Sequence, residues 1–361
     1  MGAYILKRLL LMVPTLLGAL LITFTITQFV PGGPIEQLIA KLEKPGDQDN
    51  KLNGGSETAQ VTSNSKLQTY QGARGIDPAI IKKWEKQFGF DKPAPQRFAE
   101  MVWNYARFDF GDSYFQSKPV LQLIKEKLPV SISLGLWLML ISYAISIPLG
   151  IAKAVREGSR FDVWTSAVIS IGYAIPNFIF AIMLIILFAG GSYWSYFPLR
   201  GLWSDNFADL GTWAKIKDYA WHITLPLLAM GVSAFTTTTM LTRNSFLDEI
   251  RKQYVVTARA KGLTESRVLY GHVFRNAMML VIAGFPGAFI HAFFTGSLLI
   301  EQVFSLDGLG YLTYRSTVNR DYAVVFASMW VFTLMGLLMA LVSDLLYTWI
   351  DPRIDFETRE V

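Results

Sequence analysis

The sequence predicts an all-α integral membrane protein of six transmembrane helices, with a large extracytoplasmic segment after the first. Three observations predict it. Charged residues make up 17% of the 361 residues, where about 25% is usual in soluble chains. Apolar residues reach 52%, and the mean hydropathy is +0.33. Six apolar stretches of 19 to 29 residues punctuate the chain, against the roughly 20 that a hydrocarbon layer of about 30 Å requires. The same composition excludes a disordered chain, a collagen-like chain and, because cysteine is absent, a disulfide-stapled secreted domain. The excess of 33 Lys and Arg over 28 Asp and Glu is small enough for inner loops to absorb, which argues against nucleic acid as a partner.

The first stretch, Leu9 to Val30, follows Lys7 and Arg8 and so begins like a signal peptide. It exceeds the usual apolar core of roughly 7–15 residues, and it runs into Pro31-Gly32-Gly33-Pro34 instead of a small-residue cleavage site. It reads as a retained helix, and residues 1–30 form the first division of the chain. The second is the extracytoplasmic segment 31–127. Within it, 43–75 is rich in Asn, Ser and Gly and reads as a flexible insertion. Asp77 as cap and Pro78 at the first helical position then open a helix. Beyond that helix, aromatics from Phe88 to Phe115 are dense enough for a small folded cap, or for a docking surface.

The third division, 128–361, holds the other five spans. They are Leu128 to Ala152, Val163 to Ala189, Ile223 to Leu241, Ala277 to Ile300 and Tyr322 to Ile350. Pro176 and Pro286 should each kink a span. The run Thr236 to Thr239 sits on the shortest span. Its hydroxyls either bond back to carbonyls one turn earlier or form a polar strip on a solute pathway, with Thr236 and Thr239 as candidates. Tyrosines aside, only His291 and Asp344 are ionisable within the spans. His291 serves helix packing or touches a solute, and Asp344 suits a structural hydrogen bond near the inner interface. With the N-terminus inside, inner segments carry fourteen Lys and Arg and the two short outer loops carry five. Both termini are therefore expected in the cytoplasm.

Chemistry is scarce. No phosphate-cradling G-x-x-x-x-G-K-[ST] loop, H-E-x-x-H or G-x-S-x-G occurs, and His222, His272 and His291 are scattered. No catalytic residue, metal site or cofactor is expected. Ion-coupled transporters carry acids at mid-depth, and this chain offers almost none. If it moves a solute uphill, the energy enters through another subunit.

The inner loop at about 242–276 is the richest segment. Ile250, Tyr254, Val255 and Ala258 recur at helical spacing. Gly262 sits where a helix can stop with a left-handed residue, with the cation Lys261 just before it. Thr264 can then cap a second helix, with Glu265 in its first turn. The loop therefore reads as helix, glycine break, helix. The small residues Ala258, Ala260 and Gly262 would let another protein approach the backbone, while the alternative is a basic amphipathic helix resting on anionic lipid.

The stretch Tyr254 to Leu263 (YVVTARAKGL), followed by Arg275-Asn276-Ala277, resembles the coupling loop of ABC-importer permeases of the dipeptide, oligopeptide and nickel group. The resemblance runs in order along nearly the whole chain. It includes Lys7-Arg8-Leu9, Pro14-Thr15-Leu16, Phe88-Gly89-Phe90-Asp91-Lys92-Pro93, Phe110-Gly111-Asp112-Ser113 and Leu128-Pro129. It continues with Ile300-Glu301-Gln302-Val303-Phe304, Gly308-Leu309-Gly310, Arg320-Asp321-Tyr322 and Asp351-Pro352-Arg353-Ile354. Gly33 and Asp307 depart from the family's usual Asp and Pro. The length and the 43–75 insertion make the chain most similar to the Yej-type permeases, a group associated with oligopeptides and the peptide antibiotic microcin C.

That resemblance implies a permease subunit of an ATP-driven, binding-protein-dependent peptide importer in the bacterial inner membrane. It implies a second homologous permease, ATP-binding subunits and a periplasmic substrate-binding protein as partners. It assigns coupling to the ATPase to Tyr254, Thr257, Ala258, Arg259, Ala260, Lys261, Gly262 and Leu263. The alternatives are a permease for dipeptides or nickel, a secondary transporter, or a membrane scaffold whose basic loop only anchors it to lipid.

Overall fold

The computed structural model describes residues 2–30, 32–36, 39, 78–87, 89–116, 118–190, 193–294 and 298–350. The insertion at 43–75, the Asp77 cap, Phe88 and the tail from 351 lie outside them, as do the side chains of 290–294. Among the described residues no β-strand forms, and Asp112 and Pro119 make one isolated bridge.

In chain order the helices are α1 (Gly2–Phe29), α2 (Pro78–Gln87), α3 (Ala94–Tyr105), α4 (Val120–Val155), α5 (Arg160–Ala174) and α6 (Asn177–Phe188). Then come α7 (Thr212–Ile250), α8 (Gln253–Ala260), α9 (Glu265–Val268), α10 (Phe274–Phe294), α11 (Leu298–Val303), α12 (Leu309–Val318) and α13 (Tyr322–Ile350). Five helical stretches are long and apolar enough to span a bilayer, and α5 with α6 makes a sixth if counted as one broken span. Many apolar side chains stay exposed, among them Leu10, Ile22, Trp164 and Ile171. Such faces suit a protein whose solvent is lipid and whose backbone groups are satisfied within each helix.

The expected spans are present with altered ends. Helix α4 starts eight residues before Leu128, and α7 runs on to Ile250, absorbing the first part of the predicted loop. At Pro176 the chain does more than kink: α5 and α6 meet at 94°. Pro286, by contrast, lies within the continuous helix α10. Threonines in α1 bond back to carbonyls one turn earlier, Thr23 to that of Ala19 at 2.9 Å and Thr25 to that of Leu21 at 2.7 Å.

The chain divides into two compact units. One comprises 14–124 and 313–331. Its core is aromatic. Phe24 lies 5.4 Å from Phe98 and 6.1 Å from Phe326, ring centre to ring centre, and Phe110 packs edge-on against Tyr105 at 5.0 Å. The buried Asp321 carboxylate accepts from Ser113 Oγ at 2.5 Å and from the Tyr114 N–H at 3.1 Å. Burial pushes this carboxyl above its usual range, against the pull of those donors.

The other unit comprises 1–13, 125–312 and 332–361. Here Asp344 accepts from Tyr4 Oη and pairs with Arg8 Nη2, both at 2.7 Å, the structural role expected of it. One core gathers Leu134, Leu184, Leu225, Met230, Ile300 and Phe304; a second gathers Ile151, Phe246, Val255, Val268 and Val281. Glu301, 2% exposed, is enclosed by the turn 308–311 and accepts from the Tyr311 N–H at 2.7 Å. A Cβ on Gly308 would lie 2.7 Å from its carboxyl, which is why glycine stands there.

Burial pushes the Glu301 carboxyl up to about 7, outweighing the backbone donors of Tyr311 and Gly310. Between its unfolded pKa of about 4.3 and that value, the folded state holds more protons than the unfolded one, so stability falls as pH rises through this window. In detergent, the melting temperature of the wild type should decline from pH 5 to pH 8 relative to Glu301→Gln, by the equivalent of up to about 3 kcal/mol. Parallel curves for the two proteins would show that the carboxyl ionises freely.

Candidate functional site

The predicted loop is a helix, a glycine turn and a second helix. After Ile250 the chain bends at Arg251 and Lys252, where Lys252 takes extended backbone angles and leads into α8. Arg251 pairs with Glu157 at 2.6 Å and Lys252 with Glu249 at 2.5 Å. Helix α8 ends at Gly262, whose φ of +80° is readily adopted only by glycine. The Leu263 N–H bonds to the Ala258 carbonyl at 3.3 Å and the Gly262 N–H to Arg259 at 2.9 Å. These are the two bonds of a Schellman motif, and Leu263 supplies its apolar contact by packing on the cluster that holds Ala258. Arg259 then clamps Glu265 across the turn, Nε to Oε1 at 2.9 Å and Nη2 to Oε2 at 3.0 Å. Exposed as it is, this bidentate pair adds little stability, but it holds the turn in one shape. Thr264 stands at the cap of α9 with extended backbone, yet its side chain makes no capping bond. Helix α9 continues through a π-helical turn, Leu269–Val273, into α10.

The eight residues singled out in this loop divide between two faces. Ala258 is buried and Tyr254 and Leu263 are partly buried, all packed with Val255 on the core of their own chain. Tyr254 Oη donates to Glu249 Oε2 at 2.8 Å, and burial first, then that bond, pushes its phenol above the usual range. Thr257, Arg259, Ala260, Lys261 and Gly262 are exposed. Sequence reasoning set Ala258 toward a partner, and the structure packs it in the core of its own chain, where a small side chain fits. It overlooked Val256, which is 53% exposed one turn before Ala260. Val256 and Ala260 form an apolar, small-residue strip edged by Arg259 and Lys261.

A cavity of about 1120 Å³ opens within the same unit. Its wall includes Ser142, Tyr143, Pro176, Asn177, Ser233 and Thr237, and among the described lining residues none is charged. Of the threonine run, Thr237 and Thr238 line it. Thr236 instead bonds back to the Val232 carbonyl at 2.9 Å and lies 3.3 Å from that of Ile169. Thr239 is buried where α4 crosses α7, and its carbonyl would lie 2.9 Å from a Cβ on Gly150. His291 falls in α10, and its side chain lies outside the described residues.

A buried ion cluster lies where α4, α5 and α7 come together. Lys153, wholly buried, pairs with Asp162 at 3.0 Å and donates to Thr165 Oγ1 and Ser166 Oγ, both at 2.7 Å. Arg243 from α7 reaches the same carboxylate, Nε at 2.9 Å and Nη2 at 2.6 Å. Asp162 thereby ties the helix that leads into the α8 loop to the helix that ends at the Pro176 break.

An all-α bundle with a broken span, an uncharged cavity and a rigid basic loop has the parts of a membrane transport component. Residues 146–356 match the family model described as the binding-protein-dependent transport system inner membrane component. The chain belongs to that family. It is a permease component of such a system and not an enzyme. Over its full length it is 64% identical to the peptidoglycan transport system permease protein YejB of Agrobacterium fabrum, covering all of that protein. It is 58% identical, over 99% of its length and all of the relative's, to the inner membrane ABC transporter permease protein YejB of Escherichia coli O157:H7. At 32% identity, over 99% of the chain and all of the relative, it is similar to the oligopeptide transport system permease protein AppB of Bacillus subtilis.

Proposed function

We propose that this chain is one of two permease subunits of an ATP-driven importer that carries peptides through the bacterial inner membrane. Both termini and the α8 loop would lie in the cytoplasm, with the loop seated on an ATP-binding subunit and a substrate-binding protein on the opposite side. The observation that carries this reading is the α8 loop: an exposed Val256–Ala260 strip edged by cations, held in one shape by the Gly262 turn and the Arg259–Glu265 clamp. A lipid anchor needs no such fixed turn, whereas docking on a protein does. Peptide as cargo is supported by the name of the Bacillus relative, an oligopeptide transport system permease, and by the resemblance to the Yej-type group. A second reading, peptidoglycan fragments, is favoured by the name of the Agrobacterium relative at 64% identity.

Because native cysteine is absent, single cysteines report without background. In membranes holding the assembled importer, Ala260→Cys should cross-link to the ATP-binding subunit, while Asn206→Cys, in the loop before α7, should not. Cross-linking from Asn206 alone would invert the orientation, and protection of Ala260 by lipid without any cross-link would restore the anchor reading. Uptake of labelled tripeptides, competed by unlabelled peptidoglycan fragments, separates the two cargoes.

A further inference from the structure

The break between α5 and α6 falls inside a stretch long and apolar enough to span the membrane. Backbone that leaves helical form at that depth must be buried in protein or line a cavity, because lipid offers no hydrogen bonds. Here it lines the cavity: Ile175, Pro176, Asn177 and Phe178 are all in its wall. Pro176, at the cap of α6, brings no N–H and no capping side chain. Its carbonyl accepts from the Ile179 N–H at 2.9 Å and from Phe180 at 3.1 Å. The N–H groups of Asn177 and Phe178 have no acceptor among the described residues. The twelve-residue α6 thus turns its positive end, with two free donors, toward the cavity.

A second feature of the same wall points to a ligand. Ser142, on α4, is 2% exposed, and its hydroxyl has no hydrogen-bond partner among the described residues. Other hydroxyls in this unit do find carbonyls, Ser133 that of Val130 and Ser146 that of Phe235. Thr239 and Ser245 also lack partners, but among the described residues of this unit Ser142 is the orphan that lines the cavity. A buried hydroxyl left unpaired is costly, and one kept at a cavity wall is a donor reserved for something that visits. Asn177 adds a third donor type: its Oδ1 accepts from Ser233 Oγ at 2.7 Å, and its NH₂ has no acceptor among the described residues.

We propose that the first turn of α6, with Ser142 and Asn177, transiently binds the C-terminal carboxylate of a peptide passing through the cavity. This rests on the peptide reading above. The α6 end, the Asn177 NH₂ and the Ser142 hydroxyl are donors or a hydroxyl, so a ligand held by them together must carry acceptors. It must also be small enough to reach the helix end, which a terminal carboxylate is. The absence of Lys and Arg from the described wall suits passage: a helix end and hydroxyls attract an anion without trapping it, and a transported species must leave as well as enter.

The test uses the complete importer in proteoliposomes, with its binding protein and ATP-binding subunits, and trialanine as the free acid or the C-terminal amide. Affinity of each form for the binding protein is measured first, and uptake is compared with the binding protein saturated. The wild type should take up the free acid at least fivefold faster than the amide. Ser142→Ala should bring that ratio close to one, and Ser142→Thr should restore it. Ser142→Ala removes an unsatisfied buried group, so its melting temperature should equal or exceed the wild type's, which separates lost uptake from lost folding. Equal uptake of acid and amide by the wild type overturns the site, as does a Ser142→Ala variant that keeps the wild-type ratio. Uptake of neither peptide by an importer that hydrolyses ATP overturns the peptide reading itself, and the site falls with it.

Discussion

Replacing Asp162 with alanine is expected to strip most of this protein from the membrane. Its carboxylate holds Lys153, which is wholly buried, and Arg243, which comes from a different helix. Without Asp162 the Lys153 ammonium keeps Thr165, Ser166 and a carbonyl as partners but loses its counter-charge inside the unit. Removing one partner of a buried pair costs about 3–5 kcal/mol, because the other charge stays desolvated and uncompensated. That is a large part of the roughly 5–15 kcal/mol by which folded proteins usually exceed the unfolded state. Lys153→Met should cost less, since Asp162 retains Arg243 and the methionine fills the vacated space. Combining Lys153→Met with Asp162→Asn should recover much of the stability lost in Asp162→Ala, since no buried lysine charge then remains. Membrane abundance and the melting temperature in detergent are the measurements. An Asp162→Ala variant that accumulates and melts like the wild type would show that the cluster is held by packing and not by charge.

None of this cluster was legible in the sequence, and the reason is physical. Lys153 and Arg243 follow apolar spans, so a charge count reads them as cations facing water, and Asp162 lies nine residues from one and 81 from the other. Only the crossing of α4 and α7, where a Cβ on Gly150 would lie 2.7 Å from Thr242 Cβ, brings the three together. What sequence did reveal rests on local or summed properties. The spans follow from charge depletion, and the left-handed glycine at 262 follows from a helix former, a cation and a glycine in succession. Proline was legible as a missing donor but not as a bend: Pro176 accompanies a 94° break, while Pro226 and Pro286 sit in continuous helices. The face of α8 was legible by spacing, but its partner was not. The recurrence of Ile250, Tyr254, Val255 and Ala258 describes burial without saying whether the cover is the same chain or another. Glu301 was noticed only within a run of residues, because its enclosure depends on a turn that returns glycines 308 and 310 to its carboxyl.

The glycine turn gives the other large effect, on function instead of folding. Gly262→Val is expected to reach the membrane at normal levels and to abolish uptake. A Cβ at this position would meet nothing within 4 Å, so the cost is confined to the backbone. Holding a β-branched residue at φ of +80° costs about 1–2 kcal/mol, which a protein this size can bear locally. The loop need not bear it, however, because it can relax by giving up the two turn bonds to Ala258 and Arg259. Relaxation would release Leu263 from its apolar contact and shift Glu265 away from Arg259, and the Val256–Ala260 strip would no longer be presented in one shape. A misplacement of about an ångström is enough to disable a site that depends on geometry. In reconstituted importer, ATP hydrolysis by Gly262→Val should therefore no longer rise when loaded binding protein is added. Gly262→Asn offers the control, since asparagine tolerates left-handed angles far better than valine and should retain much of the wild-type stimulation. Full uptake by Gly262→Val would mean that the turn's shape does not matter to coupling. Loss of function in Val and Asn variants alike would mean that the small size of glycine, and not its conformation, is what the ATP-binding subunit requires.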